Sequence, residues 1–291
     1  MTSAITPLRL RAIRHGLSLV GLGVLVAIVF YGPGSDTRWY WHLDLAAPYA
    51  GATQSLSGET FRYGPPFVLL FAPAHLLPFD AFRLLWLAVE IGCLYLLAGR
   101  WTLAAVALYP VALELSAGNI NLPLALAVAA GIRYPAVWSF VLLSKVTPGV
   151  GILWFAVRGE WRRLGRALAT TGAIMLATAV VAAGLWSAWI AMLATAVSLT
   201  PEPGQPYLAV PLALRLPAAV VLVTWGARTN RPWLAAVAAT LALPTVWPAA
   251  LSMLLAAVPL QSVPTSAREP GFRVALTGWR FRLPELPAHL R

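Results

Sequence analysis

Cysteine is almost missing from this chain of 291 residues: the one present, Cys93, is set in an apolar stretch. That excludes a disulfide within the chain and a paired-cysteine metal site, and Cys93 reads as a small core residue. Lysine is as scarce, since Lys145 is the only one among 21 Lys and Arg residues. Charge of both signs is low, at 11% of residues against 59% hydrophobic, with a mean hydropathy of +0.75. So apolar a chain cannot hide its surface in one water-soluble core, which excludes a soluble enzyme. There is no glycine loop of the nucleotide-binding type and no Ser/His/Asp arrangement for nucleophilic catalysis. The spacing of His42 and His75 to Asp36 or Asp44 matches no metal motif, so no metal or other cofactor is assigned and metal dependence stays open.

What is present is a series of Ala/Leu/Val runs without the two-residue alternation of barrel strands. They predict an all-α integral membrane protein, because lipid offers backbone groups no hydrogen-bond partners. The formal net charge of +11 would suit nucleic acid if it formed one basic face with aromatics. The arginines instead gather in short segments between apolar runs, so no nucleic-acid partner is expected and membrane lipid is. Arg9, Arg11 and Arg14 precede a first apolar run at residues 16–31 that no small-residue cleavage site follows. This predicts a retained first helix with its N-terminus in the cytoplasm.

Residues 32–66 then form the longest polar interval of the membrane part, read as an outer interfacial loop and helix region rich in Trp39, Tyr40, Trp41, Tyr49, Phe61 and Tyr63. Residues 67–78 are too short to cross and are broken by Pro73 and His75. Residues 81–99 cross inward to Arg100, 101–115 go out to the Ala117-Gly118-Asn119-Ile120-Asn121 turn, and 122–132 return to Arg133. Residues 135–157 would place the Arg158, Arg162, Arg163, Arg166 cluster outside if they crossed once. A hairpin broken at Ser144-Lys145-Val146-Thr147-Pro148 keeps both ends inside, and Pro148 supplies the break. A span to about residue 197, a second outer loop at 198–206, a return to Arg228 and Arg231 and a last hairpin broken at Pro244-Thr245-Val246-Trp247-Pro248 complete the count. The expectation is one membrane domain over residues 1–260 with about ten transmembrane helices, several short or broken, and a basic cytoplasmic tail at 261–291.

This topology gathers Asp36, Asp44, Glu59, Asn119, Asn121 and Lys145 on the outer side. A charge at membrane depth costs about 2.5–3.5 kcal/mol on insertion scales, so Lys145 at a helix break is either an anion contact or a side chain snorkelling to the interface. Asp36 alone is an ordinary surface acid. Beside a buried cation and aromatic faces, it becomes a candidate base for moving a group off a lipid phosphate. Asp44 and Glu59 are weaker candidates. Glu90 and Glu114 lie in apolar helices; Arg83 or a helix end is the expected partner of Glu90, and Glu114 has no assigned role.

Four segments carry a family resemblance: Ser35-Asp36 with Tyr40; Phe61-Arg62-Tyr63-Gly64-Pro65-Pro66 followed by Pro73, Leu77-Pro78 and Trp86; the Ala117 to Asn121 turn; and Leu143-Ser144-Lys145-Val146-Thr147-Pro148 with Trp161-Arg162. In this order they resemble glycosyltransferase family 87, the polyprenol-phosphate-mannose-dependent mannosyltransferases and their relatives. The resemblance implies a GT-C-like bundle and an active site on the outer face. It also implies a polyprenyl-phosphate-linked sugar donor and inverting transfer of a hexose, mannose first, to a glycolipid or cell-envelope glycan. Asp36 would be the base and Lys145 the group that holds the departing lipid phosphate. Asn119 and Asn121 would line the pocket, with Tyr40, Tyr63, Asp44 and Glu59 around it. The expected location is a bacterial inner membrane. The chain departs from the family in that apolar residues directly follow its Pro244 to Pro248 segment, where the family has Trp and histidines. A transporter or lipid-binding protein that uses Lys145 and the broken helices as an anion site is the alternative.

Overall fold

The computed structural model describes residues 7–52, 60–196, 208 and 210–261. Among them every regular element is helical. Four helices are long and apolar enough to cross a membrane: Leu8–Tyr31, Phe79–Val106, Trp161–Thr195 and Leu212–Thr229. A bent pair, Tyr109–Ala117 with Asn121–Gly131, has the length and apolarity of a fifth as either a broken span or a re-entrant loop, and four shorter apolar helices complete the set. This is an all-α, multi-pass membrane protein, with the short and broken helices the sequence implies. Glu59, the loop at 198–206 and the tail beyond Gln261 lie outside the described residues.

The first helix, α1 (Pro7–Tyr31), begins earlier than expected, so Arg9, Arg11 and Arg14 ride on its first turns. Only 11% of its apolar window is buried, which leaves most of it for lipid. It packs through Gly21, where a Cβ would lie 1.7 Å from the carbonyl oxygen of Leu103. That contact is to α5 (Thr102–Val106), and it is the close backbone approach that glycine permits between membrane helices. After Gly32 the chain does not loop freely. It enters α2 (Ser35–Trp41), a short helix whose first turn carries Asp36. α3 (Pro65–Phe71) continues as a 3-10 turn, Ala72–Leu76, too short to cross.

α4 (Phe79–Ala98) ends at Gly99, at φ 54° and ψ −125°. The 28-residue apolar stretch Phe79–Val106 runs on from there through a 3-10 turn, Gly99–Trp101, into α5. α6 (Tyr109–Ala117) stops at Gly118 and meets α7 (Asn121–Gly131) at 113°. α8 (Trp138–Ser144), Lys145 in extended backbone, the 3-10 segment Thr147–Ile152 and α9 (Leu153–Val157) form the expected hairpin. Its arms close tightly because Gly149 faces Leu142 and Gly151 faces the buried Trp138 ring.

α10 (Trp161–Ala196) bends at Ala182, outside helical backbone, and the Trp186 indole donates to Thr178 Oγ1 across the bend at 3.2 Å. α11 (Leu212–Thr229) leads to a second hairpin made of α12 (Trp233–Leu241), the 3-10 segment Pro248–Ala256 and α13 (Ala257–Gln261). Arg158 donates to the Ala227 carbonyl and to Asn230 Oδ1, both at 3.2 Å, and so ties the turn before α10 to the turn after α11 at one basic end.

Candidate active site

Asp36 gets its position from two glycines. Gly34, at φ 56°, caps α2 and donates its N–H to the Ser116 carbonyl at 3.0 Å; a Cβ there would lie 2.9 Å from Arg83 Cδ. Gly118, at φ 73°, sits so close to α2 that a Cβ would be 1.8 Å from Thr37 Oγ1. The α6–α7 bend is thus pressed against the helix that carries Asp36. Asn119 spans the contact, donating from Nδ2 to Asp36 Oδ2, while its Oδ1 accepts from the Ile120 N–H at 2.6 Å.

The second half of the site hangs on Asn121. Its Oδ1 accepts from Lys145 Nζ at 2.9 Å, and its Nδ2 donates to Glu114 Oε2 at 2.9 Å. Glu114 Oε1 also accepts from the backbone N–H of Asn121 at 2.6 Å and of Leu122 at 3.3 Å. The last turn of α6 thereby caps the first turn of α7, satisfying N–H groups that the helix itself leaves open. Glu114 is fully buried and Asn121 nearly so, whereas Asp36, Asn119 and Lys145 are half-buried. The charges of Asp36 and Glu114 both act on the Lys145 ammonium.

Lys145 lies at the tip of a hairpin. Its arms, Pro135–Ser144 and Thr147–Val157, rise about 15–20 Å at helical and 3-10 pitch, short of a hydrocarbon layer of ~30 Å. Both arms start beside arginines, Arg133 and Arg158. Lys145 spends one of its three donors on Asn121.

The aromatics of the 32–66 region behave differently from the expected membrane-facing belt. Tyr40, Tyr49, Phe61 and Tyr63 are buried. Tyr40 stacks on Phe71 at 4.5 Å, its hydroxyl shares a 3.1 Å hydrogen bond with that of Tyr63, and Tyr49 donates to the Tyr63 carbonyl. Burial pushes the Tyr40 and Tyr63 phenols up, and the nearby charge of Asp36 adds to this, so both remain neutral. They form a wall under Asp36, and with Tyr40 only 2% exposed its face is taken by protein. The expectation that they meet the interface fails because α3 and α4 supply aromatic partners.

Asp44 is exposed in a turn, where Oδ1 caps the Ala46 N–H at 2.9 Å, and the structure does not bring it to the site. Arg83 does not pair with Glu90. It donates to the Ile28 and Val29 carbonyls at the end of α1 and lies 3.8 Å from Asp80. Glu90 is fully buried, and neither carboxyl oxygen has a hydrogen-bond partner among the described residues. His42 and His75 are exposed, and among the described residues no three His, Cys, Asp or Glu side chains group so as to hold a metal ion.

The four sequence segments meet. Asn119 joins the first to the third, Lys145 joins the third to the fourth, the Trp86 indole donates to the Gly118 carbonyl at 2.9 Å, and the Gly64 N–H donates to the Leu143 carbonyl at 3.0 Å. The residue that sequence reasoning missed is Glu114. An acid in an apolar helix seven residues before an asparagine, across a glycine bend, was the available signal.

The model of glycosyltransferase family 87 matches residues 61–266. No curated protein and no solved structure matches the chain. The matched region takes in the Gly64 turn, the α6–α7 bend and the Lys145 hairpin, and it begins after Asp36.

Proposed function

This chain belongs to glycosyltransferase family 87, and from that premise we propose that it transfers a hexose, mannose first, from a polyprenyl-phosphate-linked donor to a glycolipid or cell-envelope glycan. As a member of that family it is a membrane glycosyltransferase. The observation that carries the finer reading is that Asp36 and Lys145 are held by Asn119 and Asn121, two residues apart on one helix bend. Lys145, part-way into the membrane, suits a phosphate whose lipid chain stays in the bilayer. Asp36, at the mouth of α1, suits an acceptor hydroxyl arriving from water.

In this mechanism the acceptor oxygen forms a bond to the anomeric carbon while the bond from that carbon to the phosphate oxygen breaks. The proton of the acceptor hydroxyl passes to Asp36. The charge left on the lipid phosphate is met by Lys145, an electrostatic assistance that grows as the bond breaks. One displacement inverts the sugar carbon. In this reading the arginine-bearing end and both termini face the cytoplasm of a bacterial inner membrane, following the cytoplasmic bias of positive charge. The site then faces the outer side.

The test is sugar transfer from radiolabelled polyprenyl-phosphate-mannose in membranes that hold the full chain, its Asp36→Asn variant or its Lys145→Ala variant. Transfer by the wild type and its loss in both variants is the expected result. Undiminished transfer by Asp36→Asn would sink the base assignment, and absence of transfer from any lipid-linked sugar by the wild type would favour an anion-binding transporter.

A further inference from the structure

The proposed reaction gives tasks to Asp36, Asn119, Asn121 and Lys145 and leaves Glu114 with none. Yet Glu114 is the most tightly held member of the cluster, with no exposed surface and three donors on its two oxygens. All three partners donate, which is what a carboxylate accepts. One of them is the Asn121 amide nitrogen, so Glu114 decides which way round that amide sits. With Nδ2 turned to Glu114, Oδ1 must turn the other way, and there it accepts from Lys145 at 2.9 Å. The reverse orientation would set an NH2 against an ammonium and an oxygen against a carboxylate, two like-to-like contacts in a buried place.

Charge leads to the same residue. An ammonium held within the membrane needs a nearby negative charge, and the two acids acting on Lys145 are Glu114 and Asp36. Asp36 is half-buried and is the group that takes the proton during transfer. Glu114, shielded from any substrate, takes no part in that proton transfer. We propose that Glu114 is a positioning residue which, through the Asn121 side chain, holds Lys145 aimed at the donor phosphate. This rests on reading Lys145 as the phosphate-binding group.

The test is binding of radiolabelled polyprenyl phosphate to the purified full chain, which needs no acceptor. Glu114→Gln and Asn121→Leu are each expected to weaken binding about tenfold. The double variant should then bind within about twofold of the weaker single one, because groups in one chain of contacts are not additive. A role confined to capping α7 would lower thermal stability and leave binding unmoved. Wild-type binding by Glu114→Gln, or a double variant showing the full product of the two losses, overturns the proposal. Should Glu114→Gln fail to fold, Asn121→Leu decides alone. It keeps both backbone donors on Glu114 and removes both side-chain bonds of Asn121, to Glu114 and to Lys145, so unchanged binding there is equally fatal, and weakened binding is the result the proposal expects. Lys145→Ala separates the two readings: wild-type binding by that variant removes the phosphate assignment itself, whatever Glu114 does.

Discussion

Two hairpins of this bundle are broken at their tips, and a cation sits at each break. At Pro244 to Pro248 the cation comes from outside the hairpin. Arg215 of α11, only 4% exposed, donates to the carbonyls of Val210, Leu241, Leu243 and Pro244 at 2.7–2.8 Å. Its planar fork answers carbonyls that the broken helix cannot bond internally. At Ser144 to Pro148 the cation belongs to the tip itself, and Lys145 is held by one side-chain oxygen. One break is closed by its arginine, whereas the other presents a charge with donors to spare. The same break in a helix is thus scaffolding in one hairpin and a candidate site in the other, and what separates them is how fully the cation is hydrogen-bonded.

The strongest challenge to this contrast is Arg215→Met. It leaves several buried carbonyls without their donor, and the loss in stability should be about 1–3 kcal/mol for each one left unpaired. Thermal unfolding in detergent checks it. A stable Arg215→Met that has lost transfer would show that the closed break is functional after all. Lys145→Ala should give the opposite pattern: transfer falls about 100- to 1,000-fold, as for loss of one donor to a developing oxyanion, while the unfolding temperature stays near that of the wild type. An equal loss of stability in both variants would erase the distinction.

Lys145 was legible because its residue type is unique in the chain and because the charge rule forces a hairpin over residues 135–157. Pro148 then placed the break to within a residue or two of the observed one. The order of the four segments also carried through to contact in space. Arg215 was not legible, since an arginine near the start of a long apolar run reads as an interfacial anchor until the carbonyls opposite it are known. Glu114 was hidden for a similar reason: two of its three donors are backbone N–H groups, which every residue but proline carries and no sequence pattern marks. The burial of Tyr40 and Tyr63 was misjudged because the aromatic composition of an interface belt and of a packed aromatic wall is the same. Only the partners, Phe71 and Trp86, tell them apart.

The open break depends on the bend beside it, and Gly118→Ala probes that support. The added methyl meets two obstacles, a backbone at φ 73° and Thr37 Oγ1 at 1.8 Å, so a loss of about 1–3 kcal/mol is expected. Thr37→Ala in the same chain should return the packing share of this loss and leave the backbone share. If the pair restores both stability and transfer in full, Gly118 is there for space alone, and Asn119 does not need a left-handed neighbour to reach Asp36.

The smallest effect belongs to an ion cluster that water shares, at the basic end. Glu160 accepts from Arg158 at 2.7 Å and from Arg163 at 2.9 Å, with its side chain about a quarter exposed (24%). Burial is the largest single influence on its carboxyl and works upward, but the hydrogen bonds and charges of the two arginines outweigh it and hold the group below its usual value. A carboxyl depressed in the folded state adds stability that is complete above its unfolded value of about 4.3, and this stability drains away as pH falls from there through the folded value. Glu160→Gln should therefore cost under about 1 kcal/mol at neutral pH, the range of surface pairs. Its gap in unfolding temperature from the wild type should narrow as the medium is taken below about pH 4. A gap that persists in acid would mean that Glu160 acts through packing rather than charge. Exposure would then no longer separate this cluster from the cations at the two hairpin breaks.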